Sequence, residues 1–311
     1  MQVVYLSNRP TIFAETLRHV ALFMPFIKGI VVCVPETQKQ GFQAIVSNIP
    51  IQVVVEGILL NNDEASNLSN LDHQRRNYLL RSRLIQSDKV DAEFIMSDDD
   101  SRPLKPITLD TFIKNDRYRR YFFYDLASWN NNQTDFDAGQ IATCAVLDHE
   151  NLEHLSYASH MPQVIDKELF IETQSFFSAH AMSYPLCEWS TYFNYAPSLS
   201  PERFHPPEAF KTLCWPEHPL AWKYYIKPAN SMFENYTPSL YQNNEIFKDF
   251  TTTAESHSQI AESHSQIVQT NIEKIILWKR YTISCLHPEQ AKGLAKYFRF
   301  RTWANKLFMN Q

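Results

Sequence analysis

The chain has 311 residues, 44% hydrophobic and 20% charged, with a net charge of −5; that is a globular composition and excludes a disordered polymer. Its 5 glycines (Gly29, Gly41, Gly57, Gly139, Gly293) form neither G-x-G-x-x-G nor G-x-x-x-x-G-K, which excludes glycine-rich dinucleotide loops and Walker-type phosphate loops. The 5 cysteines (Cys33, Cys144, Cys187, Cys214, Cys285) are scattered and contain no C-x-x-C pair, so neither a disulfide framework nor a cysteine zinc site is expected, and a reducing cytosol is.

Residues 1–5 lack the basic stretch that opens a signal peptide. The most apolar stretch, 20–34, is interrupted by Pro25 and Lys28 and is too short to span a bilayer. A non-spanning protein is expected.

In chain order, residues 3–6 read as a first strand and 11–23 as a helix with Ile12, Leu17, Val20 and Phe23 at near-helical spacing. Residues 29–34 form a β-branched run closed by Pro35, 39–47 a helix, and 51–55 a third strand. Strands apolar throughout, alternating with helices, predict a parallel sheet covered on both faces. A helix over 73–87 carries Arg75, Arg76, Arg81 and Arg83; such arginines either reach a diphosphate bidentately or form a solvated basic face, and Arg76 is the one chosen for phosphate.

That helix leads into the apolar run 94–96, which stops at Asp98, Asp99 and Asp100, with Pro103 and Pro106 preventing immediate helix formation. Ligands of open α/β sheets bind beyond the carboxyl ends of the strands, so these acids are presented where a ligand would lie. Alternate residues of an extended chain point the same way, so Asp98 and Asp100 can share one point while Asp99 faces away. Two hard oxygen ligands suit Mg²⁺ or Mn²⁺ completed by water and phosphate oxygens; the other reading is a solvated acidic turn.

Farther on, residues 121–126 read as a strand ending in Asp125, followed by Trp129 and the amide-rich 130–133, either a sugar-binding lip or an Asn-rich turn. A short strand near Tyr157 delivers His160 into a proline-containing turn, where it either completes a metal or phosphate site or is simply a turn histidine; His218 is a second candidate. Residues 185–195 read as an amphipathic helix with Glu188 at its start, placed for the helix dipole or to take a proton from an acceptor hydroxyl. Late strands are expected at 210–215 and 221–226.

AESHSQI at 254–260 is repeated unchanged at 261–267, a heptad duplication that lengthens a surface helix without moving its stripe. From 290 to 311 there is no acid and 5 basic residues (Lys292, Lys296, Arg299, Arg301, Lys306), which leaves −10 on the rest of the chain. With Tyr297, Phe300, Ala304 and Leu307 on an adjacent face and Trp303 at the boundary, this segment reads as an interfacial helix for an anionic membrane surface, against the alternative of a helix docked on the core. Nucleic acid is not expected as a partner, because the body is acidic and no other basic stripe exists.

The β/α N-terminal half, the arginine-bearing helix and the strand ending Ser97-Asp98-Asp99-Asp100 resemble the GT-A class of nucleotide-sugar glycosyltransferases with an Asp-x-Asp motif. The segments Ser159-His160-Met161-Pro162 and Glu188-Trp189-Ser190-Thr191-Tyr192 are similar to those of bacterial capsule and lipopolysaccharide transferases. The resemblance covers roughly residues 1–225. It implies an α/β fold of GT-A (Rossmann-like) type, with a mostly parallel central sheet, helices on both faces and a helical C-terminal extension. Residues 1–245 would be the catalytic domain and 246–311 the extension with its basic tail.

The resemblance also implies a hexosyltransferase-type enzyme that uses Mn²⁺ or Mg²⁺. The expected metal ligands are Asp98, Asp100 and His160, and the expected donor-binding residues are Arg76, Asp98, Asp99 and His160. The donor expected is a nucleotide-sugar, a UDP-sugar, and the acceptor a bacterial surface glycan or glycolipid. In an inverting enzyme Glu188 or Asp125 takes the acceptor's proton; a retaining one needs no such base. Lys296, Arg299, Phe300 and Trp303 would hold the protein at the cytoplasmic side of the inner membrane. The rival readings are a sugar-phosphate transferase and a non-enzymatic carbohydrate-binding or scaffold protein.

Overall fold

The structure is a computed structural model that describes residues 1–214 and 231–238. The strand expected at 221–226, His218, the duplicated heptad, the 245/246 boundary and the tail with Lys296, Arg299, Phe300 and Trp303 lie outside the described residues.

The elements are β1 (Gln2–Leu6), α1 (Pro10–Phe23), β2 (Gly29–Val34), α2 (Lys39–Gln43), β3 (Ile51–Val55), α3 (Glu56–Leu59), α4 (Asn62–Asn67), α5 (His73–Gln86), β4 (Glu93–Asp98), β5 (Ser101–Pro103), β6 (Ile113–Lys114), β7 (Arg117–Phe122), α6 (Asp135–His149), β8 (Gln163–Asp166), α7 (Lys167–Phe176), α8 (Ser178–Ser183), α9 (Glu188–Leu199), β9 (Phe204–Ala209), β10 (Thr212–Leu213) and β11 (Phe233–Asn235). The fold is mixed α/β. Its central sheet has the order β3-β2-β1-β4-β8; the first four strands are parallel and β8 runs antiparallel to β4. Two small sheets, β10-β11-β5 and β6-β7-β9, flank it in the topology.

The apolar runs dictate this sheet. Successive residues of a strand point to opposite faces, yet Val3, Val4 and Tyr5, then Val31, Val32 and Cys33, then Phe94, Ile95 and Met96 are all buried. Both faces are therefore covered. Phe13, Leu17 and Val20 of α1 are buried at i, i+4 and i+7, and Phe13 meets Tyr5 edge to face at 5.1 Å. Among the described residues no helix is long and apolar enough to cross a membrane.

Several expectations are corrected in detail. The strand expected at 121–126 is β7, which ends at Phe122 because its pairing with β9 ends at Ala209. No strand precedes His160: its φ of 47° is left-handed backbone, and the strand begins after Pro162 as β8. The helix expected over 39–47 ends at Gln43. Helix α6 was not legible from its weak apolar stripe, although Thr134 and Asp137 form a capping box at its start.

Candidate functional site

The strand order reverses between β1 and β4, and the register pairs Leu6 with Asp98. The chain segments leaving these strands, Ser7 to Arg9 and Asp98 to Asp100, therefore emerge side by side at the carboxyl edge of the sheet, where α/β proteins open their ligand crevice. A cavity of about 520 Å³ lies there, bounded by those segments, α5, His160 and the start of α9.

The three acids are divided among distinct partners. Asp98 Oδ1 accepts from Arg81 Nη2 at 2.7 Å, and its Oδ2 faces His160 Nδ1 at 3.8 Å. Asp100 Oδ2 accepts from Arg9 Nη2 at 3.0 Å, and its Oδ1 faces His160 Nδ1 at 3.5 Å. Asp99 is taken up entirely: Ser7 Oγ donates to Oδ2 at 2.5 Å, Arg9 Nε donates to Oδ2 at 3.1 Å, and Arg9 Nη2 also pairs with Oδ1. Asp98 and Asp100 thus each give one oxygen to an arginine and turn the other toward one imidazole. Asp100 Oδ1 and His160 Nδ1 are buried and make no hydrogen bond.

His160 is held there by its backbone. Ser101 Oγ and Thr212 Oγ1 both donate to its carbonyl, at 2.9 and 3.0 Å, and fix the left-handed turn. A non-glycine residue in that conformation is a cost that the surrounding structure must sustain. The ring is 41% exposed, while Nδ1 is covered. Burial pulls the imidazole pKa down, but Asp100 and Asp98 prevail and push it up to about 9, so the ring is cationic at neutral pH. Burial likewise works to raise Asp100, but His160 and Arg9 outweigh it and hold the carboxyl below its usual range. Asp99 is raised by burial, which Arg9 and Ser7 only partly offset.

Below the acids lies a buried polar layer. Arg81 is 5% exposed and links Asp98 to Glu188, whose Oε1 is 2.8 Å from Arg81 Nε. Gln74 Nε2 donates to Glu188 Oε2 at 3.2 Å. Gln74 reaches that point past Gly139 of α6, where an added Cβ would lie 2.8 Å from Gln74 Cγ. Burial raises the Glu188 carboxyl, against the pull of Arg81. Glu188 opens α9 and lines the cavity.

The other expected residues are distributed as follows. Arg76 lies at the cavity edge, and its Nη2 donates to both oxygens of Glu56 at 2.8 and 2.7 Å. Asp125 does not line the cavity; it caps the turn after β7 and takes His154 Nδ1 at 2.7 Å. Trp129 stacks on Tyr124 at 5.0 Å, and its Nε1 donates to Asp137 at 3.0 Å.

Sequence reading passed over Ser7, Arg9 and Glu56, and it did not single out Arg81. Arg81 did carry a signal: it falls on the buried stripe of α5 with Gln74, Tyr78 and Ile85. Among the described residues, no group of three or more His, Cys, Asp or Glu side chains is set to hold a metal by itself.

No family model matches the chain, and no curated protein matches it. Among solved structures, it is similar to mouse xyloside xylosyltransferase 1 in its apo form, at 12% identity over 76% of this chain and 98% of that one, with a TM-score of 0.42. It is similar to the galactosyltransferase LgtC in complex with donor and acceptor sugar analogs, at 11% identity over 88% of this chain and 98% of that one, with a TM-score of 0.45. It is also similar to 4-diphosphocytidyl-2C-methyl-D-erythritol synthase from Anaerococcus prevotii, at 11% identity over 67% of this chain and 87% of that one, with a TM-score of 0.34.

Proposed function

We propose that this chain is a metal-dependent glycosyltransferase of GT-A type, moving a hexose from a nucleotide-sugar, a UDP-sugar, to a hydroxyl of a bacterial surface glycan. The observation that carries this reading is the convergence of Asp98 Oδ2, Asp100 Oδ1 and His160 Nδ1 at the carboxyl edge of the parallel strands. Two of those three atoms, Asp100 Oδ1 and His160 Nδ1, are buried without a hydrogen bond and face each other at 3.5 Å, an arrangement that asks for a functional explanation.

Since no three such side chains are set to hold an ion among the described residues, Asp98 and Asp100 would hold Mn²⁺ or Mg²⁺ with His160 beside them and with most positions supplied by water and donor phosphate oxygens. When bound, such an ion stabilises negative charge on the departing diphosphate. To ligate such an ion, His160 would have to give up the proton that the acids hold on it.

Arg9, half-exposed at the cavity wall, offers its guanidinium to the same phosphates, and Arg76 guards the far edge beside Glu56. Arg81 holds Asp98 in place from below. In an inverting transfer Glu188, which lines the cavity, would accept the acceptor's proton on release from Arg81 and Gln74; Asp125 lies outside the cavity. The basic segment with Lys296, Arg299, Phe300 and Trp303 would keep the enzyme at the cytoplasmic face of the inner membrane, close to its acceptor.

A thermal-shift panel with UDP, GDP, CMP and ADP, each with and without Mn²⁺, tests the reading. A ligand at about a hundred times its dissociation constant stabilises the fold by ~2.7 kcal/mol. The expected outcome is one nucleotide that shifts the protein only with metal, no shift in Asp100→Asn, and release of nucleoside diphosphate on turnover. Absence of any metal-dependent nucleotide shift would overturn it, and release of the monophosphate would make the protein a sugar-phosphate transferase.

A further inference from the structure

Three cationic side chains face Asp98 and Asp100, and they are held to very different degrees. Arg81 is locked: it is 5% exposed, lies 2.8 Å from Glu188 and sits over the Trp189 ring at 5.2 Å. His160 is fixed through its carbonyl by Ser101 and Thr212. Arg9 differs from both, with a side chain 43% exposed at the cavity wall.

Arg9 divides its guanidinium between two acids. Nε donates to Asp99 Oδ2 at 3.1 Å, and Nη2 is shared between Asp99 Oδ1 and Asp100 Oδ2, the latter at 3.0 Å. Its backbone amide donates to Ser7 Oγ at 3.1 Å, and Ser7 Oγ donates to Asp99 Oδ2 at 2.5 Å. That closed loop anchors the root of the Arg9 side chain together with the buried Asp99. The contact with Asp100 lies outside the loop. A small swing of the guanidinium that keeps Nε on Asp99 would therefore release Asp100.

Charge gives that swing a purpose. Asp100 has one oxygen on Arg9 and turns the other to His160 at 3.5 Å. A divalent ion brought to Asp100 meets a guanidinium already there, and like charges a few ångströms apart oppose each other. A diphosphate entering the cavity offers Arg9 another partner, because the same fork of donors fits phosphate and carboxylate oxygens. Nη1 of Arg9 carries no hydrogen bond among the described residues and can turn to meet it.

We infer that Arg9 is a resident counter-ion of the acid site, which exchanges Asp100 for the donor's phosphates when a divalent ion takes up Asp100. Its effect has opposite signs for the two ligands: it opposes the cation alone and favours the nucleotide. Cation and nucleotide binding thereby depend on each other through one side chain. This inference rests on the transferase reading above and adds the residue that couples the two ligands.

The test measures Mn²⁺ binding from the paramagnetic resonance signal of the free ion, and UDP binding by titration calorimetry, both on the full chain. Arg9→Gln should bind Mn²⁺ alone about tenfold more tightly than wild type, and UDP at saturating Mn²⁺ about tenfold more weakly, the usual range for coupling between sites. General damage to the site would weaken both, so the opposite signs are the signature. Arg9→Gln leaves the buried Asp99 without its cationic partner. Should that variant melt too low to titrate, Asp99→Asn combined with Arg9→Gln removes both charges of the pair and should show the same tightening of Mn²⁺. Mn²⁺ affinity that is unchanged or lower in these proteins, or an unaffected UDP affinity in Arg9→Gln, would overturn the inference. If wild type binds UDP only with Mn²⁺ but the variants do not differ in this way, only the Arg9 assignment falls. If wild type shows no metal-dependent UDP binding, the transferase reading falls and this inference falls with it.

Discussion

Two charged clusters lie on either side of Ser101, and they differ in how completely their charges are matched. Behind it, Arg102 pairs with Glu234 at 2.5 Å and with Glu15 at 2.8 Å. Glu15 also takes Arg18 and His19, and the His19 ring meets the Pro103 carbonyl. Arg102 and Glu234 are fully buried, with Tyr236 stacked on the guanidinium at 4.1 Å. In front of it, Asp98, Asp99 and Asp100 meet Arg9, Arg81 and His160, a comparable inventory of charge, yet Asp100 Oδ1, His160 Nδ1 and Arg81 Nε are buried without hydrogen bonds beside a cavity. The rear cluster ties β5 to β11, and its charges are matched among the described residues. The front cluster is pre-organised but unfinished, and that marks it as the site.

The largest expected effect comes from the front. Asp100→Asn removes an oxygen from the unfinished point and should abolish the metal-dependent nucleotide shift. A lost metal contact is worth several kcal/mol to a charged transition state. At ~1.4 kcal/mol per decade, turnover should fall by about a thousandfold or more. The unliganded protein should melt somewhat below wild type, because Asp100 loses its ion pairs with Arg9 and His160, yet should remain folded. A large loss of apo stability together with retained nucleotide response would reverse the assignment of the two clusters.

Glu234→Gln probes the rear. It removes the charge of the partner that Arg102 meets at 2.5 Å, and breaking a buried pair costs about 3–5 kcal/mol. The urea midpoint should fall accordingly, while the nucleotide still shifts whatever protein remains folded. An unchanged midpoint would mean that the β5–β11 tie is not what stabilises the acid turn.

Much of the front cluster was legible locally and little of the rear one was. The run 94–96 followed by three acids reads as a strand ending in ligands because strand and acids are contiguous. Arg9 and Ser7 reach those acids only through the sheet register that pairs Leu6 with Asp98, a relation of 92 residues that no local pattern encodes. Arg81 reads as one solvated arginine among four, yet it is buried because Asp98 and Glu188 provide it with counter-charges from two other elements. Glu234 is still more remote, 132 residues from Arg102. The parallel strands were readable because burial on both faces leaves a continuous apolar run. Helix α6 was not, since its exposed stripe of alanines carries little contrast.

The smallest effect gives the sharpest test of the difference, because it has a sign in pH. Burial alone would raise the Glu15 carboxyl, but hydrogen bonds from His19 and Arg18 and the nearby Arg102 hold it well below the usual carboxylate range. In the unfolded chain the same group titrates near ~4.3. A carboxylate depressed on folding contributes its stability above the unfolded value and loses it as pH falls toward the folded one. Glu15→Gln should therefore cost ~2 kcal/mol at neutral pH, in the range for a hydrogen bond to a charged group. The gap between the two proteins should stay constant down to about pH 5 and then narrow steadily in more acid solution. A gap that persists unchanged in acid would mean that Glu15 acts by packing rather than by charge, and the rear cluster would lose its claim to be an electrostatically completed structure.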